Sequence, residues 1–209
     1  MRSSAASDVY KRQALMYART DNFCHRVLYR DLRDAYVLPA CAEALRKAQA
    51  ELKRRRPDLS LCIFDATRPM SVQQTMWDAV KNTPQYYYVS NPAHGGGMHN
   101  YGMAVDISLC KASWDDSTWH DGAARCRIDT VPMGTKVDYM GAASHIDKEQ
   151  ELVSRRIISR EALANRRLLR EVMRAAGFMP LHTEWWHFNL CTSCLLYTSP
   201  SPRDMRRSR

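Results

Sequence analysis

No apolar run in this 209-residue chain approaches the roughly 20 residues that a membrane-spanning helix needs, which excludes a helical membrane-spanning protein. Cysteine pairing is equally scarce. Of seven cysteines, Cys191 and Cys194 form the one CxxC pair, so a disulfide framework is not indicated. Cys41 and Cys62 fall at expected core positions and read as small hydrophobes. No internal repeat recurs at 20–50 residues, and no interleaving of aromatic with basic residues supports an RNA-binding surface. What is present, 45% hydrophobic and 25% charged residues, is ordinary for one globular domain of this length.

The net charge of +9 invites a nucleic-acid reading until the chain ends are inspected. "SSAASDVYKRQ" (Ser3 to Gln13) and "CLLYTSPSPRD" (Cys194 to Asp204) resemble translated sequencing-adaptor read-through and lack core periodicity. Residues 1–13 and 194–209 are therefore expected to be non-native, disordered flanks of a domain over 14–193. They carry surpluses of two and three positive charges, so without them the net charge falls to +4. The remaining basic run, "KRRR" (Lys53 to Arg56), reads as a solvated helix face, and no nucleic-acid partner is expected. With the N-terminus in question, the compartment stays open, and the sequence does not fix the oligomeric state.

Between the flanks, "LPACAEALRKAQAELKRRRP" spaces Leu38, Cys41, Ala42, Leu45, Ala48 and Leu52 as one face of a helix, with prolines at both ends. "LSLCIFDATRP" follows, with Leu59, Leu61 and Ile63 alternating like a half-buried strand that ends at Asp65. Ser71 and Gln74 predict a capping box for the next helix. From Met103 to Leu109 a second strand is predicted: Met103, Val105, Ile107 and Leu109 form its core face, and Ala104, Asp106 and Ser108 a small polar one. Loops with short strands are expected over Cys110 to Asp147. "SREALANRRLLREVMRAAGF" then reads as a helix closed by Gly177, before the β-prone "HTEWWHFNL". This mixture, without βαβ alternation, predicts an α+β fold: a single domain with a central antiparallel sheet and flanking helices.

Chemistry concentrates at two places. "GGGMHNYGMAVDISL" sets His99 just before a strand that carries Asp106 on its small polar face, with room for a cation beside Gly102 and Ala104. "EWWH" adds Glu184 and His187. Catalytic zinc takes three ligands of this type and keeps one position open, and His99, Asp106 and His187 meet that count. Glu184 stands three residues from His187, so an ideal strand would point the two apart, and a common site demands a bend at "EWWH". A pattern His-x-x-Gly-x-Ala-x-Asp arises by chance on the order of once in a thousand chains of this length.

These motifs, with "DATRP" (Arg68), "PMGTKVDYM" (Asp138), "SH" (His145) and "NRRLLREVMRAAGF", resemble the zinc D-alanyl-D-alanine dipeptidases of the M15 peptidases, the group that includes the vancomycin-resistance dipeptidase. The likeness spans nearly all of Asp21 to Leu190. It implies an M15, hedgehog-like fold and a hydrolase of D-alanyl-D-alanine or a similar small dipeptide, acting in cell-wall precursor turnover. One Zn2+ per chain would be held by His99, Asp106 and His187. Glu184 would be the catalytic base, Arg68 would stabilise the oxyanion, and Asp138 would bind the substrate's ammonium. Met98 stands where the resistance enzymes commonly have serine, which puts fine selectivity in question.

Other readings of the same residues stay open. Arg68 could form a structural salt bridge with Asp65, Asp138 could cap a turn after Gly134, and His145 could support a zinc-bound histidine from outside the ligand set. A murein D,D-carboxypeptidase or endopeptidase could use the same metal site, and a zinc-binding module could have kept the metal and lost catalysis.

Overall fold

A computed structural model describes residues 13–111 and 129–190. The flanks, apart from Gln13, and the expected loops within 112–128 lie outside the described residues.

Helix α1 (Pro39–Arg55) begins at a proline, whose missing N–H costs nothing in a first turn. It buries Cys41, Leu45, Ala48 and Leu52, but Leu38 caps the helix and is exposed rather than part of its apolar face. Gln49, also fully buried, donates to Ser60 Oγ (3.0 Å) and accepts from the Leu61 N–H (2.8 Å), which fixes the helix against the strand that follows. In the basic run, Arg54 and Arg55 pair with Glu51, Arg55 also with Glu171, and Arg56 with Asp58.

The sheet holds β1 (Leu59–Asp65), β2 (Ala104–Lys111), β3 (Met179–Leu181) and β4 (Glu184–Asn189). Its order is β1-β2-β4-β3 and every pairing is antiparallel, so the domain is α+β with flanking helices. β1 departs from the half-buried expectation: Ser60 and Cys62 are as buried as the leucines beside them. One sheet face sends Leu61, Ile63, Val105, Ile107 and Leu109 into a core with α1 and with α4 (Arg160–Ala175). The opposite face of β2, with Ala104, Asp106 and Ser108, is equally buried.

Helix α2 (Met70–Val80) starts directly after Pro69, one residue before the expected capping box. Ser71 lies inside the first turn, where its carbonyl accepts from Thr75 Oγ1, and Gln74 donates to Asp78. The Pro69 carbonyl instead takes the N–H groups of Val72 and Gln73, so no side-chain cap forms. A short helix α3 (Glu149–Ser154), too brief to reveal itself by periodicity, precedes α4.

Ser159 caps α4 by accepting from the Ala162 N–H. The helix closes at Gly177, as its sequence predicts. Phe178 N–H returns to Met173 O and Gly177 N–H to Arg174 O, a Schellman turn that needs the glycine's φ of +94°. The chain then enters the β3–β4 hairpin. At the other end, Gln13 bridges Ile63 of β1 and accepts from the Ala35 N–H (2.6 Å), although the sequence places it in the flank.

Candidate active site

Two irregularities in the sheet bring the polar residues to one place. β4 pairs with β3 at Met179↔Asn189 and Pro180↔Phe188, then jumps to Leu181↔Glu184, so Trp185 to His187 bulge between successive partners. This is the bend that "EWWH" requires, and it sets Glu184 Oε2 3.9 Å from His187 Nδ1. On β1 a bulge after Ile63 puts Asp65 opposite Asp106, and Asp106 in turn stands opposite His187. A row of Asp65, Asp106 and His187 therefore crosses three strands.

His99 joins this row from a single 3-10 turn (Met98–Tyr101) closed by Gly102 at φ +68°. That glycine lies against Thr67 and Leu38, where a side chain would press on both. The glycines ahead of the turn are explained by crowding too: a Cβ on Gly97 would lie 2.8 Å from Ser90 Oγ.

His99 Nε2, Asp106 Oδ1 and His187 Nδ1 are mutually 3.0–3.2 Å apart, and all three residues are buried. The other ring nitrogens are engaged: His99 Nδ1 lies 2.6 Å from Ala66 O, and His187 Nε2 2.9 Å from Asn189 Oδ1. Each oxygen can only accept, so each of those nitrogens carries the proton. Three electron-pair donors thus face one another with no proton between them when both rings are neutral. Such a set fits a cation, and the two-imidazole, one-carboxylate chemistry suits a divalent transition metal. Burial raises the Asp106 pKa, but when the two rings are charged their attraction and hydrogen bonds outweigh it and hold the carboxyl well below its usual range.

Around these three runs a cleft of about 300 Å³ that also holds Arg68, Asp138, Glu184, Met98 and Trp186. Burial pushes Glu184 up to about 8, with the charges of Asp106 and Asp138 adding to it against His187 and Arg68. Arg68 forms the salt bridge with Asp65 that its sequence context allows, and it also lines the cleft. Its Nη2 and Nε bond Asp65 Oδ2 at 2.7 and 3.1 Å, and its Nη1 bonds Gln73. Nη2 also lies 3.8 Å from Asp106 Oδ2, at the cleft wall. Asp65, itself fully buried, accepts a further 2.6 Å bond from Tyr29.

Asp138 sits at φ +71° and accepts from Tyr17 Oη (3.0 Å) and from the Phe23 N–H (3.1 Å). Burial raises its pKa to about 7 against the pull of those two donors. Tyr17, Phe23, Gln73 and Asn189 are site residues that sequence reasoning missed. Tyr17 and Phe23 lie in a stretch without periodicity, whereas Asn189 is signalled by standing two residues from His187 on one strand. His145 takes no part in orienting the ligands. Its Nε2 meets Tyr88 Oη at 2.9 Å, and the positions beside the two histidines belong to Ala66 and Asn189.

The sequence model of the peptidase family M15, described as D-ala-D-ala dipeptidase, matches residues 7–202. The chain belongs to this family. The match extends past 14–193 at both ends. Among relatives of this M15 peptidase, the D-alanyl-D-alanine dipeptidase of Escherichia coli K12 is 29% identical over 181 residues, covering 84% of this chain and 77% of that protein. The D-alanyl-D-alanine dipeptidase of Enterococcus faecium is 33% identical over 95 residues, covering 44% of this chain and 36% of that one. The buried His–Asp–His cluster is thus found in a peptidase of a metallopeptidase family.

Proposed function

We propose that this chain is a zinc-dependent dipeptidase that hydrolyses D-alanyl-D-alanine or a similar small dipeptide in cell-wall precursor turnover. The observation that carries the reading is a shared cleft: the His99–Asp106–His187 cluster, the Glu184 carboxyl and the half-buried Asp138 all open into one small volume. His99 Nε2, Asp106 Oδ1 and His187 Nδ1 would hold the zinc. When bound, it supplies Lewis acidity that polarises the scissile carbonyl and acidifies water to a pKa near about 7.

The protein's groups do the rest. Glu184, beside the ligand set, takes the proton of the attacking water as the C–O bond forms and returns it to the leaving nitrogen as the C–N bond breaks. Its raised pKa suits a group that must both accept and release a proton near neutrality. Arg68, fixed by Asp65 and Gln73, faces the negative charge that develops on the carbonyl oxygen. Asp138 has two hydrogen-bond donors and no ion-pair partner among the described residues, so a substrate ammonium supplies the missing charge.

The test is zinc analysis of the purified full chain together with hydrolysis of stereodefined dipeptides and their N-acetyl forms. One zinc per chain and selective cleavage of free D-Ala-D-Ala is the expected result. Zinc binding without hydrolysis of any substrate would favour the inactive module. Equal cleavage of free and acetylated forms would favour a murein carboxypeptidase.

A further inference from the structure

The two histidines of the cluster are oriented by different means. His99 donates to a backbone carbonyl, that of Ala66, which no substitution removes. His187 donates to a side chain, Asn189 Oδ1, at 2.9 Å. Residues two apart on a strand share a face, so Asn189 lies beside His187 on β4, across from Ala104 and Asp106 on β2. Ala104, directly opposite Asn189, carries a single methyl group and leaves the amide space to lie along its own strand toward the imidazole.

We infer that Asn189 is the positioning residue of the metal centre: its carbonyl oxygen holds the proton of His187 on Nε2 and so keeps the Nδ1 electron pair aimed at Asp106 Oδ1 and His99 Nε2. This rests on the reading of the cluster as a metal site. An imidazole without such an acceptor distributes its proton over both nitrogens and turns about χ2, and each alternative state removes a ligand. A neutral amide performs this task without adding a second negative charge to the carboxylate of Asp106. The electrophilic character of the centre, and the field that Arg68 and the substrate carbonyl experience, are thereby kept.

The experiment compares wild type, Asn189→Leu and Asn189→Asp, each full length and checked for folding by thermal unfolding in chelator. Zinc affinity is measured by competition with a chromogenic chelator, and coordination by the visible absorption of Co2+-loaded protein. Asn189→Leu, which fills similar volume without an acceptor, is expected to weaken zinc binding 10- to 100-fold and to alter the Co2+ spectrum. Asn189→Asp, which keeps the acceptor, is expected to bind zinc within about threefold of wild type with the wild-type spectrum, a rescue that a packing role would not produce. Wild-type affinity in Asn189→Leu, or equal losses in both variants, overturns the inference while leaving the metal site standing. A wild type that binds no zinc overturns both.

Discussion

Asp106 and His187 face each other directly in the β2–β4 register, with Oδ1 and Nδ1 3.0 Å apart. Together with His99 Nε2 they place three electron-pair donors within 3.2 Å of one another. With both rings neutral the three donors repel one another, and a bound cation would relieve that repulsion. Zinc at about 100 times its Kd is therefore expected to stabilise the fold by about 2.7 kcal/mol, a rise in Tm of roughly 5–10 °C. Asp106→Ala should abolish the rise. Differential scanning calorimetry with and without chelator makes the measurement, and an unchanged Tm in the wild type would count against the metal site.

Glu184→Gln keeps the shape of the side chain and removes its basicity. Zinc stoichiometry should stay at one per chain while kcat falls by a factor of about 10² to 10⁴, the range for losing a general base. Steady-state kinetics alongside metal analysis separates this from a damaged metal site, in which both quantities would drop.

Arg68 and Asp65 are both buried, and removing the guanidinium leaves the Asp65 carboxyl buried beside Tyr29 without its ion-pair partner. Arg68→Ala should therefore cost about 3–5 kcal/mol of stability as well as activity. Arg68→Lys should recover most of the stability and little of the activity, because an ammonium cannot bond Asp65 and Gln73 and still face the cleft as a planar fork. Urea denaturation and kcat on the same samples test the split.

Asp138 has a pKa raised to about 7 by burial. A carboxyl whose folded pKa exceeds its unfolded value stabilises the fold fully below about pH 4 and loses that contribution as the pH rises to about 7. Relative to Asp138→Asn, metal-free wild type should lose stability across this window and be the less stable of the two at pH 8. Substrate binding runs the other way. The ionised carboxylate is the form that holds an ammonium, so kcat/KM for a free dipeptide relative to its N-acetyl form should rise about tenfold from pH 6 to pH 8. In Asp138→Asn that ratio should be flat. A flat ratio in the wild type would assign Asp138 to its turn and not to substrate.

Much of this was legible in the sequence where a residue's neighbours along the chain determine its place. The alternation around Asp106 marks its strand and its polar face, and Ser159 and Gly177 mark both ends of α4. The bend at "EWWH" follows from requiring Glu184 and His187 at one point. What stayed hidden depends on distant partners. Ser71 carries a capping pattern, yet the hydrogen bonds taken by the Pro69 carbonyl start the helix earlier. Ser60 and Cys62 look like the outer face of β1 until Gln49 of α1 and the N-terminal segment at Gln13 are seen beside that strand. Tyr17 meets Asp138 across 121 positions, a contact that no local pattern encodes.

The spacing of the ligands also has a consequence during synthesis. His99 and His187 lie 88 positions apart, and β4 is the last strand of the sheet to be made. A nascent chain that has emerged only through β2 holds two members of the His99–Asp106–His187 cluster and lacks Glu184. The strand that carries Glu184 and His187 also fills the place between β2 and β3. Completion of the sheet and assembly of the proposed active site are therefore one event, and on the proposed function a chain short of β4 would have no finished site with which to attack peptides around it.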